Sequence, residues 1–332
     1  MANAGKKNEW ASPLCPYRAA NLHPHASFIS SGTMTRILVN LLFKLWFKPL
    51  WRAVPPVSSV RARFLWADRM ASLGRKKITP QYRDIGGVPV EWIGAEGAMQ
   101  KGVVIYLHGG GFAVRATYTD RRFCRDISVR SGLPVVLVPY RLAPEYPYPH
   151  GLNDCCRVYE GLIGEGVPAG GIVIVGHSAG ASYALVLLMR ARQEGLPQPA
   201  AAIVLSAPTD MTAQSPSIVA NARRDAMLGP NIWPWARKIY VGTMPLSHPE
   251  ISPLFGDWSG LAPISFHVSD SEMLLDDSRR AVERARESGT QADLSIWKGL
   301  PHNFYFLDVL PESGQFREQM VGFIEKALAR TE

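Results

Sequence analysis

Residues 171–185 decide the fold, and they read GIVIVGHSAGASYAL. An apolar, β-branched run at 172–175 leads into Gly-His-Ser-Ala-Gly at 176–180, and small residues that can continue as a helix follow. A Gly-x-Ser-x-Gly turn between a strand and a helix is typical of a nucleophile elbow, because the glycines relieve the crowding of a tight, strained turn. The pattern is short enough to arise by chance, so its surroundings must decide whether Ser178 is a nucleophile.

Apolar segments of β type recur along the chain on both sides of this turn. Strands are predicted at 88–93, 103–107, 135–138, 172–175, 202–205, 264–268 and 294–297, with helices at 121–130, 153–163, 179–193 and 274–287. Strands that are apolar on both faces and alternate with helices indicate an α/β fold with a mostly parallel central sheet flanked by helices.

Three segments stand outside this alternation. Residues 1–33 lack any periodicity and are expected to form a loose leader, whereas residues 34–85 are expected to contain N-terminal helices. Residues 211–251 are rich in Pro, Trp and Met and interrupt the α/β domain at 86–332. Additions to an open α/β sheet commonly lie over the carboxyl ends of its strands, so the N-terminal helices and the insertion are expected to form a cap.

Composition excludes several classes of protein. The 332 residues are 47% hydrophobic, and the net charge of +8 comes with no nucleic-acid-binding motif, so nucleic acid is not an expected partner. The four cysteines, at 15, 124, 155 and 156, have neither metal-site spacing nor the pattern of a disulfide framework. No secretory signal is visible at the N-terminus. Together these features predict a cytoplasmic location.

One segment raises the question of a membrane. Residues 34–51 are apolar, but their longest uncharged run, 37–43, is far shorter than the roughly 20 residues that span a bilayer. Polar residues recur every fourth position at Arg36, Asn40, Lys44 and Lys48, so a helix here would have one polar ridge and a broad apolar remainder. The preferred interpretation packs that remainder against the protein. The alternative is weak association with a membrane surface.

A nucleophilic serine needs a base, and the base needs an acid to orient it. Of the eight histidines, His302 has the best position, because it follows the last predicted strand at the same end of the sheet as Ser178. The loop after the preceding strand leaves four carboxylates open as the acid, two of which have the sequence position of first-turn helix residues. They are Asp270, Glu272, Asp276 and Asp277.

Three glycines end another predicted strand, in VVIYLHGGGFAV at 103–114. Glycines at that place let backbone N–H groups point at a substrate oxygen without obstruction by side chains. A triple glycine after a strand and upstream of the serine turn therefore predicts an oxyanion hole.

With these residues in place, the chain resembles the hormone-sensitive-lipase-like, or family IV, bacterial carboxylesterases of the α/β-hydrolase superfamily. The motifs that carry the resemblance are HGGGF at 108–112, YRLAPE at 140–145, GHSAG at 176–180, SPL at 252–254, EMLLD at 272–276 and PH at 301–302. The resemblance extends from about residue 34 to the C-terminus.

The resemblance implies a catalytic triad of Ser178, Glu272 and His302. Glu272 stands at the family's acid position, 30 residues before His302, and so ranks ahead of Asp270. The implied oxyanion donors are the N–H groups of Gly110, Gly111 and Ala179. The implied substrates are small-molecule esters with short to medium acyl chains, and neither a metal nor an organic cofactor is implied.

The resemblance leaves several points as expectations. Most relatives have Asp or Thr where His177 stands, and His177 is expected to be hydrogen-bonded beside the elbow without joining the triad. Apolar residues of the cap, Met227, Leu228 and Trp233 among them, are expected to bound an acyl pocket. Relatives often pair through the sheet edge and the C-terminal helix, which suggests a homodimer. Two other functions stay open on this scaffold: a non-catalytic receptor for small ligands, and an amide or lactone hydrolase.

Overall fold

The computed structural model describes residues 31–94 and 101–330. Most of the expected leader, including Cys15, therefore lies outside the described residues. The first described helix, α1 (Ser31–Trp46), begins at Ser31, so the last three residues assigned to the leader are helical. The other three cysteines, Cys124, Cys155 and Cys156, are buried free thiols.

The described residues contain one sheet of eight strands in the order β1-β2-β4-β3-β5-β6-β7-β8. Strands β3 to β8 run parallel to one another, whereas β1 and β2 pair antiparallel at one edge and β2 pairs antiparallel with β4. The strands are β1 (Gln81–Ile85), β2 (Val88–Ile93), β3 (Val103–Leu107), β4 (Val135–Val138), β5 (Ile172–His177), β6 (Ala201–Leu205), β7 (Ile264–Ser269) and β8 (Ala292–Trp297). The predicted mostly parallel sheet is confirmed.

Helices cover both faces of this sheet. The flanking helices are α3 (Tyr118–Ser131), α4 (His150–Gly164), α5 (Ala179–Gln193), α8 (Leu275–Glu287) and α9 (Pro311–Leu328). Alternate residues of β3 enter two separate apolar cores: Val103 and Ile105 pack on one side of the sheet, and Val104 and Tyr106 on the other. Burial on both faces explains why the central strands read as continuous apolar runs in the sequence.

The segment 34–85, which was expected to contain N-terminal helices, also contains a strand that the sequence did not predict. Gln81–Ile85 forms β1, an edge strand paired with β2 in the register Tyr82 to Glu91. Most of its side chains are at least partly exposed, and only Ile85 is fully buried. The segment therefore lacks the apolar pattern that marks a strand. Backbone pairing with β2 holds it in the strand conformation.

The N-terminal helices and the insertion contact each other. The N-terminal part comprises α1 and α2 (Val57–Ser72), and the insertion contains α6 (Ser217–Ala220) and α7 (Ile232–Ala236). The Lys48 ammonium donates hydrogen bonds to the backbone carbonyls of Ala222, Asp225 and Leu228, and burial lowers the pKa of Lys48. Trp51 and Trp235 stack edge to face with ring centroids 5.6 Å apart. The two segments thus pack together although their hydrogen-bonded residues Lys48 and Ala222 are 174 positions apart in the chain.

The orientation of α1 is the reverse of the preferred interpretation. Its polar ridge faces the protein: Arg36 donates to the carbonyl of Lys298 at 2.9 Å, and Asn40 donates to that of Gly299 at 3.0 Å. Much of its apolar remainder is exposed, at Met34, Ile37, Leu38, Leu41, Leu42 and Leu45. Loop carbonyls that need donors attract the ridge, and this turns the opposite face of the helix outward. Among the described residues no helix is long and apolar enough to cross a bilayer.

Candidate active site

Ser178 lies in a strained turn between β5 and α5. Its backbone has φ 51° and ψ −124°, a conformation that residues other than glycine rarely adopt. The Ser178 N–H donates to the carbonyl of Leu205 at 2.8 Å, which ties the turn to the neighbouring strand β6. A Cβ at Gly180 would lie only 2.1 Å from the Leu107 carbonyl oxygen, so glycine is required for α5 to approach β3. The turn holds the serine at the carboxyl end of the sheet.

A histidine and a glutamate meet in the loops after β7 and β8. His302 Nδ1 lies 2.6 Å from Glu272 Oε2, and both side chains are fully buried. Because a carboxylate can only accept, His302 donates through Nδ1, which leaves Nε2 free to take a proton. Glu272 Oε1 accepts from the Ser269 N–H at 2.8 Å and from the Ser206 hydroxyl at 2.9 Å. The carboxylate is thus held in place by donors at the carboxyl ends of β6 and β7.

The other three candidate carboxylates have different partners. Asp270 accepts from the Gly299 N–H at 2.7 Å. Asp276 and Asp277 lie in the first turn of α8, as their sequence position indicated. Asp276 accepts from the Ser217 N–H, and Asp277 accepts from two backbone N–H groups after β6. Burial raises the pKa of Asp277 to about 7. Of the four carboxylates, Glu272 is the one bonded to His302.

Residues to which the sequence did not point brace the acid loop. Asn221, in the insertion, donates to the backbone carbonyls of Asp270 and Glu272. Asp225 accepts from the N–H groups of Met227, Leu228 and Met273, and burial raises its pKa. Isolated polar residues in an irregular segment carry no sequence signal for this role, because their partners are backbone groups brought near only by folding.

The glycine loop after β3 faces the same small space as the serine. Gly110 and Gly111, with φ of 105° and 60°, line a cavity of about 20 Å³ together with Ser178 and His302. The Gly110 carbonyl accepts from the N–H groups of Ala113 and Val114, which folds the loop back on itself. Ala179 is the first residue of α5, where N–H groups have no partner within the helix. Gly110 and Gly111 thus share a cavity with Ser178, and Ala179 follows the serine directly in the chain.

His177 lies below the glycine loop and is almost fully buried. Its Nε2 is 2.7 Å from the Gly109 nitrogen and 3.0 Å from Asp120 Oδ1. Asp120 also accepts from the Tyr106 hydroxyl at 2.9 Å and from the Thr117 N–H at 2.8 Å. Burial alone would raise the pKa of Asp120, but the hydrogen bond and charge of His177 hold it below its usual range. The sequence did not single out Asp120, although Thr117 and Asp120 form a capping box that begins α3.

The insertion brings two of the three predicted pocket residues to the cavity that Ser178 lines. Met227 and Leu228 line the 20 Å³ cavity, whereas Trp233 is buried away from it and Trp235 lines it instead. Trp233 and Trp235 are two positions apart on α7, and residues two apart on a helix point in different directions, so only one of them can face the cavity. A Cβ at Gly111 would lie 2.8 Å from the Trp235 ring, so this tryptophan packs directly on the glycine loop.

A larger cavity of about 310 Å³ adjoins the small one. The two share four lining residues, Phe64, Gly110, Met227 and Asn303. Its further apolar lining comes largely from the N-terminal helices, through Phe43, Phe47 and Ala67. The N-terminal helices therefore line part of the larger cavity.

Comparisons with known proteins agree with this fold. A family model described as an alpha/beta hydrolase fold matches residues 104–306. An esterase of Acinetobacter venetianus is 32% identical over 252 residues, which are 75% of this chain and 83% of that protein. An acetyl-hydrolase of Streptomyces hygroscopicus is 31% identical over 246 residues, which are 73% of this chain and 81% of that protein. The crystal structure of an esterase from the bacterial hormone-sensitive lipase family has a TM-score of 0.81 at 31% identity, covering 89% of this chain and 98% of that one.

Proposed function

The chain belongs to the hormone-sensitive-lipase-like family of α/β-hydrolase carboxylesterases, and we propose that it cleaves short- to medium-chain esters with Ser178, His302 and Glu272 as its triad. It is a carboxylic ester hydrolase. The observation that supports the residue roles best is the buried 2.6 Å hydrogen bond between His302 and Glu272, next to a serine in a strained elbow.

The proposed reaction proceeds through an acyl-enzyme. Ser178 Oγ attacks the ester carbonyl carbon while His302 Nε2 takes the hydroxyl proton, and Glu272 stabilises the imidazolium that forms. The N–H groups of Gly110, Gly111 and Ala179 bind the oxyanion, and each such donor is worth about 10²- to 10³-fold in rate. The intermediate expels the alcohol, which receives the proton from His302. Water then attacks the acyl-enzyme by the same route and releases the acid.

The rival functions have less support. A non-catalytic receptor would not need a buried histidine–carboxylate pair beside the serine, and this chain has one. The relatives are named esterase and acetyl-hydrolase, which favours an ester over an amide or a lactone as the scissile bond.

We assign the cap to the N-terminal helices and the insertion at 211–251, together with part of the substrate pocket. A cavity of about 310 Å³ is at the small end of the range for ligand sites, which fits a short or medium acyl chain. A location in the cytoplasm also belongs to the proposal and is supported by the buried free thiols. A homodimer stays a prediction, for which β8 offers a terminal strand of the sheet with Ile296 exposed.

A panel of p-nitrophenyl esters from acetate to dodecanoate tests the chain-length proposal. We expect kcat/KM to peak between butyrate and octanoate. Ala67→Phe fills the larger cavity and should lower kcat/KM for octanoate by about tenfold relative to acetate, since lost pocket volume excludes the longer chain. Ala62→Phe, on the exposed side of the same helix, is the matched control. Unchanged chain-length preference in Ala67→Phe would place the acyl chain elsewhere.

His177 is proposed to be a positioning residue for the glycine loop. Its Nε2 lies between the Gly109 nitrogen, one residue before the first proposed oxyanion donor, and Asp120 Oδ1, so the ring fixes the distance of the glycine loop from that carboxylate. His177→Leu removes that contact and should lower kcat by about 10²-fold, the cost of misplacing one donor, with little change in KM. A glutamine side chain can accept from Gly109 and donate to Asp120, so His177→Gln should restore most of the activity. If His177→Gln were as inactive as His302→Gln, His177 would belong to the catalytic machinery.

A further inference from the structure

The outward face of α1 is an apolar surface on a helix that is firmly attached through its other side. Its six residues, Met34, Ile37, Leu38, Leu41, Leu42 and Leu45, are each 50 to 67% exposed. They recur at the spacing of one helical face. The opposite side of α1 is anchored by the hydrogen bonds of Arg36 and Asn40 to loop carbonyls. The exposure is therefore not the result of a loosely placed helix.

The apolar surface continues onto α2. Trp66 stacks on Trp46 of α1 with ring centroids 4.2 Å apart and is itself 49% exposed. Met70 and Leu73 follow Trp66 at intervals of four and three residues and are 46 and 61% exposed. We call these nine side chains, the six on α1 and the three at the C-terminal end of α2, the apolar cap face. Contiguous exposed apolar surfaces of this kind mark interaction sites for proteins or membranes.

The charge of the segment that bears the apolar cap face indicates what kind of partner binds there. Residues 31–80 contain ten Lys or Arg and a single acidic residue, Asp68, whereas residues 81–332 contain 23 Lys or Arg and 26 Asp or Glu. The positive charge of the chain is thus concentrated on the segment that bears the face. Arg52, Arg69, Lys76 and Lys77 of this segment are exposed.

A second copy of the chain fits this surface poorly. A two-fold interface would place the same patch of both copies face to face and bring two strongly basic segments together. Like charges opposed across an interface are destabilising. An anionic lipid bilayer supplies both an apolar interior and the opposite charge, which is the combination that interfacial helices use.

The larger cavity and the apolar cap face belong to the same two helices. Phe43 of α1 and Ala67 of α2 line the cavity from sides of the helices that are turned away from the face. The lining also includes the exposed residues Ala71 and Val309, so the cavity opens at the surface beside α2.

We propose that the apolar cap face seats the enzyme on an anionic lipid bilayer. The seating on the membrane does not depend on catalysis, so it goes beyond the proposed function and does not rest on it.

Vesicle flotation tests the proposal with the full chain. Wild-type protein should float with vesicles of phosphatidylcholine and phosphatidylglycerol at 7:3, and much less with phosphatidylcholine alone. Leu41→Glu/Leu45→Glu should lower the partition coefficient by at least about tenfold, since it removes apolar area and adds repulsion. The same variant should keep wild-type hydrolysis of p-nitrophenyl butyrate in solution. Ser178→Ala should float like wild type, which separates a failure of binding from a failure of catalysis.

The matched control is Val129→Glu/Val219→Glu, which changes two apolar side chains that are 74 and 82% exposed elsewhere on the molecule. It should float like wild type. Equal loss of flotation in the control and the cap-face variant would overturn the proposal, because overall charge alone would then explain binding. The proposal would also be overturned if wild type failed to float, if it bound neutral vesicles equally well, or if Leu41→Glu/Leu45→Glu merely converted a dimer to a monomer in sedimentation.

Discussion

Ser178→Ala is expected to lower kcat for p-nitrophenyl butyrate by about 10⁴- to 10⁶-fold, because the acyl-enzyme can no longer form. Binding in the cavity and the oxyanion donors stay intact, so KM should change little. Circular dichroism and thermal unfolding should match wild type. Ser182→Ala is the matched control: its hydroxyl lies one turn further along α5 and donates to the Pro208 carbonyl, away from the reaction. Retained activity in Ser178→Ala would contradict the mechanism.

Ser178→Gly tests whether the backbone of the serine turn is strained. The elbow holds Ser178 at φ 51°, and such strain costs about 1 to 3 kcal/mol in residues other than glycine. Glycine adopts positive φ without that penalty. The Ser178→Gly protein should therefore be as inactive as Ser178→Ala but unfold at an equal or higher temperature than wild type. A clearly lower unfolding temperature would show that the elbow is not strained in the way that its backbone angles indicate.

Glu272→Gln is expected to lower kcat by about 10³- to 10⁴-fold, because it favours the tautomer of His302 that cannot accept the serine proton. The Oε1 position accepts from the Ser269 N–H and the Ser206 hydroxyl, so a glutamine would place its carbonyl oxygen there. Its amide group would then point at His302 Nδ1 and donate to it. The ring proton would have to move to Nε2, where it blocks the removal of the serine proton.

Asp270→Asn is the matched control for this prediction. Asp270 accepts from the Gly299 N–H, a bond that an asparagine carbonyl can keep. The change should reduce kcat by less than about fivefold, since no reacting group is touched. If Asp270→Asn lowered kcat as much as Glu272→Gln does, Asp270 and not Glu272 would be assigned as the acid of the triad.

The sequence predicted the central sheet closely and its edge poorly. The bounds predicted for β3, β4 and α5 coincide with the observed ones, because strands buried on both faces must be apolar throughout. The edge strand β1 has no such requirement and was assigned to the cap helices. Similarly, Trp233 was expected in the pocket where Trp235 lies, since an irregular insertion has no periodicity from which to tell inward from outward.

The serine turn, the glycine loop and the fold class are determined by the sequence alone, because steric and periodic rules act between residues close in the chain. The contact of His177 with Gly109 and Asp120, the hydrogen bonds of Asn221 to the loop that bears Glu272, and the outward apolar face of α1 were decided by the tertiary structure. Each depends on groups far apart in sequence, often backbone carbonyls and N–H groups that every residue carries, whose availability is established only when the chain has folded.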